Sequence, residues 1–285
     1  MAEFDDDQGR YRAVLERRVH AGDRVLHFGC GWDRTGIVPM LAGRGAEVVG
    51  LEVDPSAADR YPAPVFVTDG GRLPFGDGSF DLVASEYVFE HLECPAEVFA
   101  ELSRVLRPGG ALVVLTPNRW SYKSVVAALT PHAVHRLAAR TLRPDAREAA
   151  DVYPTFYRAN TERTLRHLGA AAGLSLVDLV FLNNGPTWFR KTPGLFAAGV
   201  VYHRLLRRPA LRRLRCGLLA TCEKRPHWSD AGEGERAAAR GPLVLRCTTC
   251  AHAPMTASET GARCPRCRHG FRTRGPVTDT RAGGA

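Results

Sequence analysis

The chain has 285 residues, of which 45% are hydrophobic, and it carries a formal net charge of +9 at pH 7. This is sufficient for one large α/β domain with a small appendage and excludes a disordered chain. The opening residues Glu3, Asp5, Asp6 and Asp7 are acidic and lack the basic start and apolar stretch of an export signal. No apolar run approaches the roughly 20 residues that span a bilayer. We therefore expect a soluble cytoplasmic protein.

The positive charge is concentrated in the second part of the chain. Residues 1–118 are acidic overall, whereas residues 119–285 are strongly basic. A basic surface is typical of proteins that bind nucleic acids, acidic lipids or anionic substrates. Lysine, however, occurs only at Lys123, Lys191 and Lys224, and arginine predominates throughout. We therefore attribute the asymmetry to a compositional bias, and charge alone does not identify a partner.

Helical and β-type patterns alternate along the first part of the chain. A helical lead-in at 11–19 precedes the first apolar run, and a clear amphipathic helix begins near Pro95 and ends at Gly109-Gly110. Such alternation predicts βαβ units around a parallel sheet. The β-type runs lie at 24–28, 47–53, 65–68, 80–85 and 111–116, and two more follow at 174–182 and 217–223.

An aromatic and proline-rich segment at 119–158 interrupts this alternation. We interpret it as an insertion or lid, with Tyr153 and Tyr157 as candidate substrate contacts. Its aromatic side chains are equally consistent with a loop that packs on itself. Farther along, residues 227–241 lack apolar periodicity and are predicted to be a linker. The first domain is therefore predicted to occupy residues 1–226.

Two matched features point to a nucleoside cofactor. A turn containing Gly29 and Gly31 directly follows the first strand, where a backbone must approach a ligand without a Cβ in the way. About twenty residues later the second strand reaches Glu52, a carboxylate placed to accept hydrogen bonds from both hydroxyls of a ribose. Either feature alone is weak evidence, but the two at this spacing favour a nucleoside ligand.

The segments that follow identify a family. They resemble the methyltransferase type 11 family of class I S-adenosylmethionine-dependent methyltransferases, and the resemblance covers about residues 22–118. It implies a Rossmann-like α/β fold with a seven-stranded sheet and S-adenosylmethionine as the cofactor. The matching segments are Thr68-Asp69-Gly70-Gly71-Arg72-Leu73-Pro74-Phe75, Ser79-Phe80-Asp81-Leu82-Val83, Glu90-His91-Leu92, Leu106-Arg107-Pro108-Gly109-Gly110 and Leu115-Thr116-Pro117-Asn118.

The resemblance also implies roles for individual residues. Glu52 would hold the ribose and Asp69 the adenine amino group. Gly70 would contact the adenine ring through its backbone, and Gly29 and Gly31 would pass beneath the methionine moiety. The residues predicted to bind the cofactor are His27, Gly29, Cys30, Gly31, Asp33, Glu52, Val53, Asp69, Gly70 and Ser85.

The cofactor loop departs from the family pattern at two positions. His27 stands where the family usually has Asp or Glu, and Asp33 stands where a third glycine is common. One hypothesis is that His27 forms a hydrogen bond near the amino end of the cofactor and that Asp33 supplies the missing carboxylate. The alternative is a degenerate domain that binds no cofactor and serves as a scaffold.

Acceptors in this fold bind outside the carboxyl ends of the strands. Tyr87 and His91 follow the fourth strand and Asn118 follows the fifth, so these three residues are candidates for the acceptor site. His91 is the candidate general base, because an unperturbed imidazole pKa near 6.5 suits removal of a proton from a hydroxyl or amine. The Glu-His-Leu run also begins a helix in relatives with unrelated acceptors, so a structural role is about equally well supported.

Four cysteines near the C-terminus have the spacing of a zinc site. Cys247 and Cys250 form one pair and Cys264 and Cys267 a second, so two thiolate knuckles can converge on one Zn²⁺. The spacing resembles zinc ribbons, and we predict a ribbon at 242–272 followed by a disordered tail at 273–285. A closed shell of four thiolates leaves no position for substrate, so this zinc is expected to be structural.

The sequence leaves three functions to compare. We favour methylation of a small molecule, with oxygen as the candidate acceptor atom. The second hypothesis is a nucleic-acid or protein methyltransferase that uses the arginine-rich ribbon to bind its substrate. The Asn-Pro-Pro-Tyr type of motif, common in base and glutamine methylation, is absent, because Ser85-Glu86-Tyr87-Val88 stands in its place. The third is the scaffold without catalysis.

Overall fold

The computed structural model describes residues 4–129, 153–186, 192–225 and 241–281. The first half contains α1 Asp7–Arg18, β1 Arg24–Phe28, α2 Ile37–Ala42, β2 Glu47–Glu52, α3 Pro55–Ala58, β3 Val65–Val67, β4 Phe80–Glu86, α4 Pro95–Val105, β5 Leu106–Pro117 and α5 Tyr122–Leu129. The second half contains α6 Glu162–Ala171, β6 Leu174–Leu182, α7 Pro193–Leu205, β7 Gly217–Lys224, β8 Thr256–Ser258, β9 Gly261–Arg263, β10 Gly270–Arg274 and β11 Val277–Asp279. Short 3₁₀ helices lie at Phe89–His91 and Pro209–Leu214.

Strands β1 to β7 lie side by side in the order β6-β7-β5-β4-β1-β2-β3. The neighbours among β1 to β5 are parallel, whereas β7 is antiparallel to both β5 and β6. The predicted alternation of strands and helices around a mainly parallel sheet is confirmed. In such a sheet the carboxyl ends of the parallel strands meet at one edge, and ligands bind beyond that edge.

Among the residues that the structure describes, the sheet has eleven strands, so the predicted count of seven is wrong. The C-terminal strands continue the sheet, because β11 pairs in parallel with β3 from Val277 opposite Val65 to Asp279 opposite Val67. Without this neighbour β3 would be an edge strand with a row of unpaired backbone donors and acceptors, and β11 satisfies them. The C-terminal segment 242–281, which extends the predicted ribbon and is called the ribbon below, is therefore joined to strands β1 to β7 by backbone hydrogen bonds.

The residues predicted to be a disordered tail, 273–285, include ordered strands. β10 and β11 form an antiparallel hairpin, and Gly275 in its turn has a φ of 57°, a left-handed conformation that favours glycine. These strands are too short to give a clear alternation of apolar and polar residues, so the prediction failed. The linker predicted at 227–241, apart from its last residue, and positions 130–152 of the predicted lid lie outside the described residues.

Two hydrophobic clusters, one on each face of the sheet, hold the strands in position. On one face α4 buries Phe99, Leu102 and Val105, as its amphipathic pattern predicts. On the other face α1 buries Tyr11 and Leu15. Burial of each such side chain contributes about 1.5–3 kcal/mol, so the packing on both faces fixes the carboxyl edge. In the described parts of the chain we find no helix with the length and apolar character that crossing a membrane requires.

Candidate cofactor and metal sites

The glycine turn after β1 is fixed to the end of β2 and is open on one side. The backbone N–H groups of Gly29 and Cys30 donate to the carbonyl oxygen of Leu51 at 2.9 and 3.1 Å. A Cβ at Gly29, where φ is 67°, would clash with the side chain of Val88. At Gly31, where φ is 53°, no heavy atom of another described residue, apart from its two chain neighbours, lies within 4 Å of the position that a Cβ would take. The turn therefore presents the backbone of Gly31 to open space, as a cradle for a ligand requires.

The carboxylate of Glu52 lies at the end of β2 and is directed at this turn. Its Oε2 accepts the N–H of Gly31 at 2.6 Å, and its Oε1 accepts the N–H groups of Val53 and Asp54 at 2.7 and 3.2 Å. The side chain is buried. A carboxylate has about four acceptor positions, so three donors hold it firmly and leave capacity for a further hydroxyl donor.

The loop after β3 lies next to the same edge. Gly70 has a φ of 86°, and its N–H donates to Oγ1 of Thr68 at 3.3 Å. Val53 is 45% exposed, although it is apolar and follows a buried strand. Its Cγ1 lies 3.9 Å from the position that a Cβ on Gly70 would take. Val53 and Gly70 therefore flank one space, and Asp69 stands exposed beside it.

The side chains of three predicted cofactor residues have partners within the protein. His27 is 3% exposed, and its Nδ1 lies 3.1 Å from the hydroxyl of Tyr61. Burial lowers the pKa of His27 to about 4, so the ring is neutral. Cys30 is buried against Gly50 between the first two strands. The carboxylate of Asp33 accepts the first backbone N–H groups of α2 and therefore caps that helix.

Ser85 lies inside the sheet near the carboxyl end of β4. Its side chain has no exposed surface, and its hydroxyl oxygen has no hydrogen-bond partner among the residues that the structure describes. A buried hydroxyl without a partner is costly and calls for an explanation. The side chain has no surface through which to contact a ligand, and its cofactor role stays a prediction.

Helix α1 closes the carboxyl edge near β4, which sequence reasoning missed. Gln8 of α1 and Thr35 both donate to the carboxylate of Glu86, at 3.1 and 3.0 Å. The hydroxyl of Tyr87 lies 3.4 Å from Oδ2 of Asp7, and burial raises the pKa of Asp7 to about 6. The only early signal was the acidic start of the chain. Tyr87 itself has a φ of 55° and is therefore held in a conformation that non-glycine residues rarely adopt.

His91 lies in the 3₁₀ helix after β4 and contacts the segment that follows the predicted lid. Its Nδ1 is 2.7 Å from the carbonyl oxygen of Pro154, and its ring packs edge-on against Tyr153. Since a carbonyl only accepts, Nδ1 carries the proton of the neutral ring and the lone pair resides on Nε2. Nε2 lies 3.9 Å from Oε1 of Glu90, a buried carboxylate. The structure thus brings His91 and Tyr153 together.

The other two predicted substrate residues contribute to packing. Asn118 is 1% exposed, and its amide donates to the carbonyl oxygens of Arg213 and Arg215 at 2.7 and 2.8 Å. Tyr157 is also buried, and its N–H donates to the carbonyl oxygen of Glu90 at 3.2 Å. Both side chains are therefore packed within the protein, at the start of β7 and beside the 3₁₀ helix, and their substrate roles stay predictions.

The four predicted cysteine ligands converge at one point. The Sγ atoms of Cys247 and Cys267 are 3.5 Å apart, as are those of Cys250 and Cys264. All four lie within 4.8 Å of one another. A tetrahedral zinc with Zn–S bonds of about 2.3 Å separates its sulfur ligands by roughly 3.8 Å, so the spacing and the donor type both fit Zn²⁺.

Comparison with known proteins identifies the domain. Residues 26–114 match the model of a methyltransferase domain family. A probable S-adenosylmethionine-dependent methyltransferase of Mycolicibacterium smegmatis is 38% identical over 121 residues, which are 40% of this chain and 46% of that protein. A ribosomal protein L11 methyltransferase of Ralstonia nicotianae is 38% identical over 105 residues, which are 35% of this chain and 34% of that protein. The chain thus spans about half the length of such curated relatives or less.

The fold agrees with this match. The crystal structure of a geranyl diphosphate C-methyltransferase from Streptomyces coelicolor A3(2), in complex with S-adenosyl-L-homocysteine, superposes with a TM-score of 0.50. The alignment covers 76% of this chain and 80% of the other at 16% identity, which supports the fold alone. Residues 26–114 thus match a methyltransferase domain family, and the probable S-adenosylmethionine-dependent methyltransferase above shares 38% identity with part of this chain.

Proposed function

We propose that this chain transfers the methyl group of S-adenosylmethionine to a small-molecule acceptor. The observation that carries the proposal is the continuous arrangement of Gly31, Glu52, Val53 and Gly70 along one edge of the sheet. Glu52 is hydrogen-bonded to Gly31, and Val53 adjoins Gly70, so one ligand can contact all four residues. A nucleoside with a polar sugar and a flat, partly apolar base has the chemistry that this edge would recognise.

Each residue of this edge would bind a different part of the cofactor. Glu52 would accept one of the ribose hydroxyls, and Asp69 would accept the N–H of the adenine amino group. Val53 and Gly70 would lie against the adenine ring, and Gly31 would allow the methionine moiety to pass close to the backbone. When bound, S-adenosylmethionine supplies an electrophilic methyl group on a positively charged sulfur. The protein then has chiefly to align an acceptor with that group.

We propose that His91 removes the proton of the acceptor. The carbonyl of Pro154 fixes the tautomer that leaves the lone pair on Nε2. The carboxylate of Glu90, 3.9 Å from Nε2, would stabilise the ring once it has taken the proton. This arrangement suits an acceptor that must lose a proton as it is methylated, such as a hydroxyl or an amine, and of these we favour the hydroxyl. Tyr87 and Tyr153 remain candidate contacts for the acceptor.

A protein acceptor is the second candidate. The observation that favours it is the likeness to relatives named as ribosomal protein L11 methyltransferases. That likeness covers only about a third of this chain and a third of those proteins. We therefore rank a protein acceptor below a small molecule.

We propose further that the four cysteines hold a structural Zn²⁺. Cys247, Cys250, Cys264 and Cys267 complete a tetrahedral shell and leave no position for water or substrate. Outside these ligands the ribbon buries only Met255, Ala262 and Phe271 in its own cluster. Such a small core does not stabilise a fold alone, so metal binding would supply the folding free energy.

Two experiments test the proposed function. Isothermal titration calorimetry with S-adenosylhomocysteine should detect one site per chain, and no response at millimolar ligand would contradict the proposal. The second uses S-adenosylmethionine labelled in its methyl group, with small-molecule, protein and nucleic-acid fractions of a cell extract as acceptors. We expect label in the small-molecule fraction. Label confined to protein or nucleic acid would support the alternatives instead.

A further inference from the structure

Strand β3 leads into residues 68–71, which we call the adenine loop, and the ribbon forms one of its two neighbours in the sheet. β3 has three residues and pairs with β2 on one edge, where Val67 lies opposite Glu52. On its other edge Val67 lies opposite Asp279 of β11. The loop with Asp69 and Gly70 begins directly after this strand. The position of the loop relative to Glu52 therefore depends on a strand that the ribbon completes.

Thr280 connects the end of β3 to both cysteine knuckles. Its N–H and its hydroxyl both donate to the carbonyl oxygen of Val67, at 2.9 and 2.8 Å. Its own carbonyl oxygen lies 3.2 Å from Oγ1 of Thr248 and 3.4 Å from Nε2 of His269. Thr248 follows Cys247 directly, and the carbonyl oxygen of His269 accepts the N–H of Cys264. One buried residue thus joins the metal-binding loops to the strand before the adenine loop.

The far end of the same loop is held by the first knuckle. Nη1 of Arg72 lies 3.2 Å from the carbonyl oxygen of Thr249, which stands between Cys247 and Cys250. The N–H of Arg246 donates to the carbonyl oxygen of Pro74 at 3.0 Å. Residues 68–71 are therefore flanked at both ends by hydrogen bonds to the ribbon.

From these contacts we propose that the ribbon is a positioning element for the cofactor, so that occupancy of the four-cysteine site increases affinity for S-adenosylmethionine. The inference rests on the proposed function of the cofactor edge. Metal binding orders the two knuckles, and the knuckles order Thr280 and Arg72. A loop that is already in its bound conformation loses less conformational entropy when the ligand arrives, and the affinity rises accordingly. By linkage, cofactor binding increases the affinity for metal by the same factor.

The first test removes the hydrogen bonds between the ribbon and the adenine loop while the zinc site is kept intact. Thr280→Val removes the hydroxyl bond to Val67 but keeps the backbone bond, and Arg72→Met removes the bond to Thr249 from an exposed side chain. We expect each variant to retain one equivalent of zinc and to bind S-adenosylhomocysteine about threefold more weakly, with a larger loss in the double variant. Thr256→Val is the matched control, because its hydroxyl donates to Arg263 within the ribbon and far from β3.

The second test measures the coupling itself. Removal of zinc from the full chain with a chelator should weaken S-adenosylhomocysteine binding about tenfold, a typical allosteric factor. Saturating S-adenosylhomocysteine should in turn raise the zinc affinity measured against a chromophoric chelator. If the zinc-loaded wild type binds no S-adenosylhomocysteine, the proposed function fails. If it binds, and Arg72→Met, Thr280→Val and zinc removal all leave the Kd unchanged, the positioning role is overturned. Should Thr280→Val fold poorly, the exposed Arg72→Met and zinc removal still decide the question.

Discussion

Oε2 of Glu52 accepts the backbone N–H of Gly31 at 2.6 Å and so ties the end of the second strand to the glycine turn after the first. The same carboxylate is the proposed acceptor for a ribose hydroxyl. Its second oxygen is already hydrogen-bonded to the N–H groups of Val53 and Asp54. Glu52 therefore fixes the backbone of the cofactor edge, by which we mean Gly31, Glu52, Val53 and Gly70, in addition to its proposed role in ligand binding. The two roles together require both oxygens of the carboxylate.

The first prediction is that Glu52→Gln weakens cofactor binding. An amide has one acceptor oxygen, so the variant loses charge-assisted hydrogen bonds that typically contribute about 1.5–3 kcal/mol. We expect the Kd for S-adenosylhomocysteine, measured by calorimetry, to rise at least tenfold. Glu47→Gln is the control, because Glu47 lies at the other end of β2 with its side chain 53% exposed. Equal affinity in Glu52→Gln and the wild type would contradict the assigned role.

The second prediction concerns the metal. The purified chain should contain one equivalent of zinc, and Cys250→Ser should lose it, because three thiolates no longer close the tetrahedral shell. Cys94→Ser should keep its zinc, since Cys94 is an exposed cysteine outside the cluster. Metal content is measured by atomic absorption. Full zinc in Cys250→Ser would show that the fourth thiolate is not a ligand.

Local patterns along the chain predicted most of the fold. The apolar runs and the Gly29 to Glu52 spacing depend on residues near each other in sequence, and the structure has those strands and that turn. The pairing of β11 with β3 joins residues more than two hundred positions apart. Three-residue strands carry no periodicity that would specify such a partner, so the sequence could not reveal it.

The side-chain partners of His27 and Asp33, the two residues of the cofactor loop that differ from the family pattern, also depend on the tertiary structure. His27 was expected near the cofactor because of its place in the motif, but its side chain faces Tyr61, 34 positions later. Asp33 was expected to replace a missing carboxylate, and it caps α2 instead. A motif gives the path of the backbone, whereas the direction and partner of a side chain depend on packing that only the tertiary structure reveals.

The third prediction is a pH dependence of stability due to His27. Burial lowers the pKa of His27 to about 4 from an ordinary value of 6.5. The unfolded chain therefore binds more protons between these values, and the free energy of unfolding falls as the pH falls from 6.5 towards 4. The contribution of this residue should drop by about 2 kcal/mol between pH 7 and pH 5.

Replacement of His27 by glutamine removes the titration while keeping a polar group near Tyr61. Urea unfolding at pH 7 and pH 5 should show a difference in free energy that is about 2 kcal/mol smaller in the variant than in the wild type. His167→Gln, on the exposed side of α6, should leave the difference unchanged. An identical pH difference in His27→Gln and the wild type would show that the ring is not buried in its neutral form.

The last prediction concerns Asp7, which is 6% exposed at the start of α1. Its Oδ2 accepts from Asn184 at 2.6 Å, whereas its Oδ1 has no hydrogen-bond partner within the described residues. Burial raises its pKa from 3.8 to about 6, so the charged form costs stability as the pH rises through this window. Asp7→Asn should therefore raise the free energy of unfolding at pH 8 by up to about 3 kcal/mol and much less at pH 4.

The matched control for this substitution is the neighbouring Asp6→Asn. Asp6 is the N-cap of α1 and accepts the N–H of Gly9, and asparagine caps a helix about as well as aspartate. We therefore expect Asp6→Asn to change stability little at either pH. If Asp7→Asn destabilised the chain equally at pH 8 and pH 4, the charge of Asp7 would be compensated in the folded state. Such a result would contradict the raised pKa of Asp7. If burial penalises the charged carboxylate, the substitution should stabilise the chain more at pH 8, where Asp7 is charged, than at pH 4.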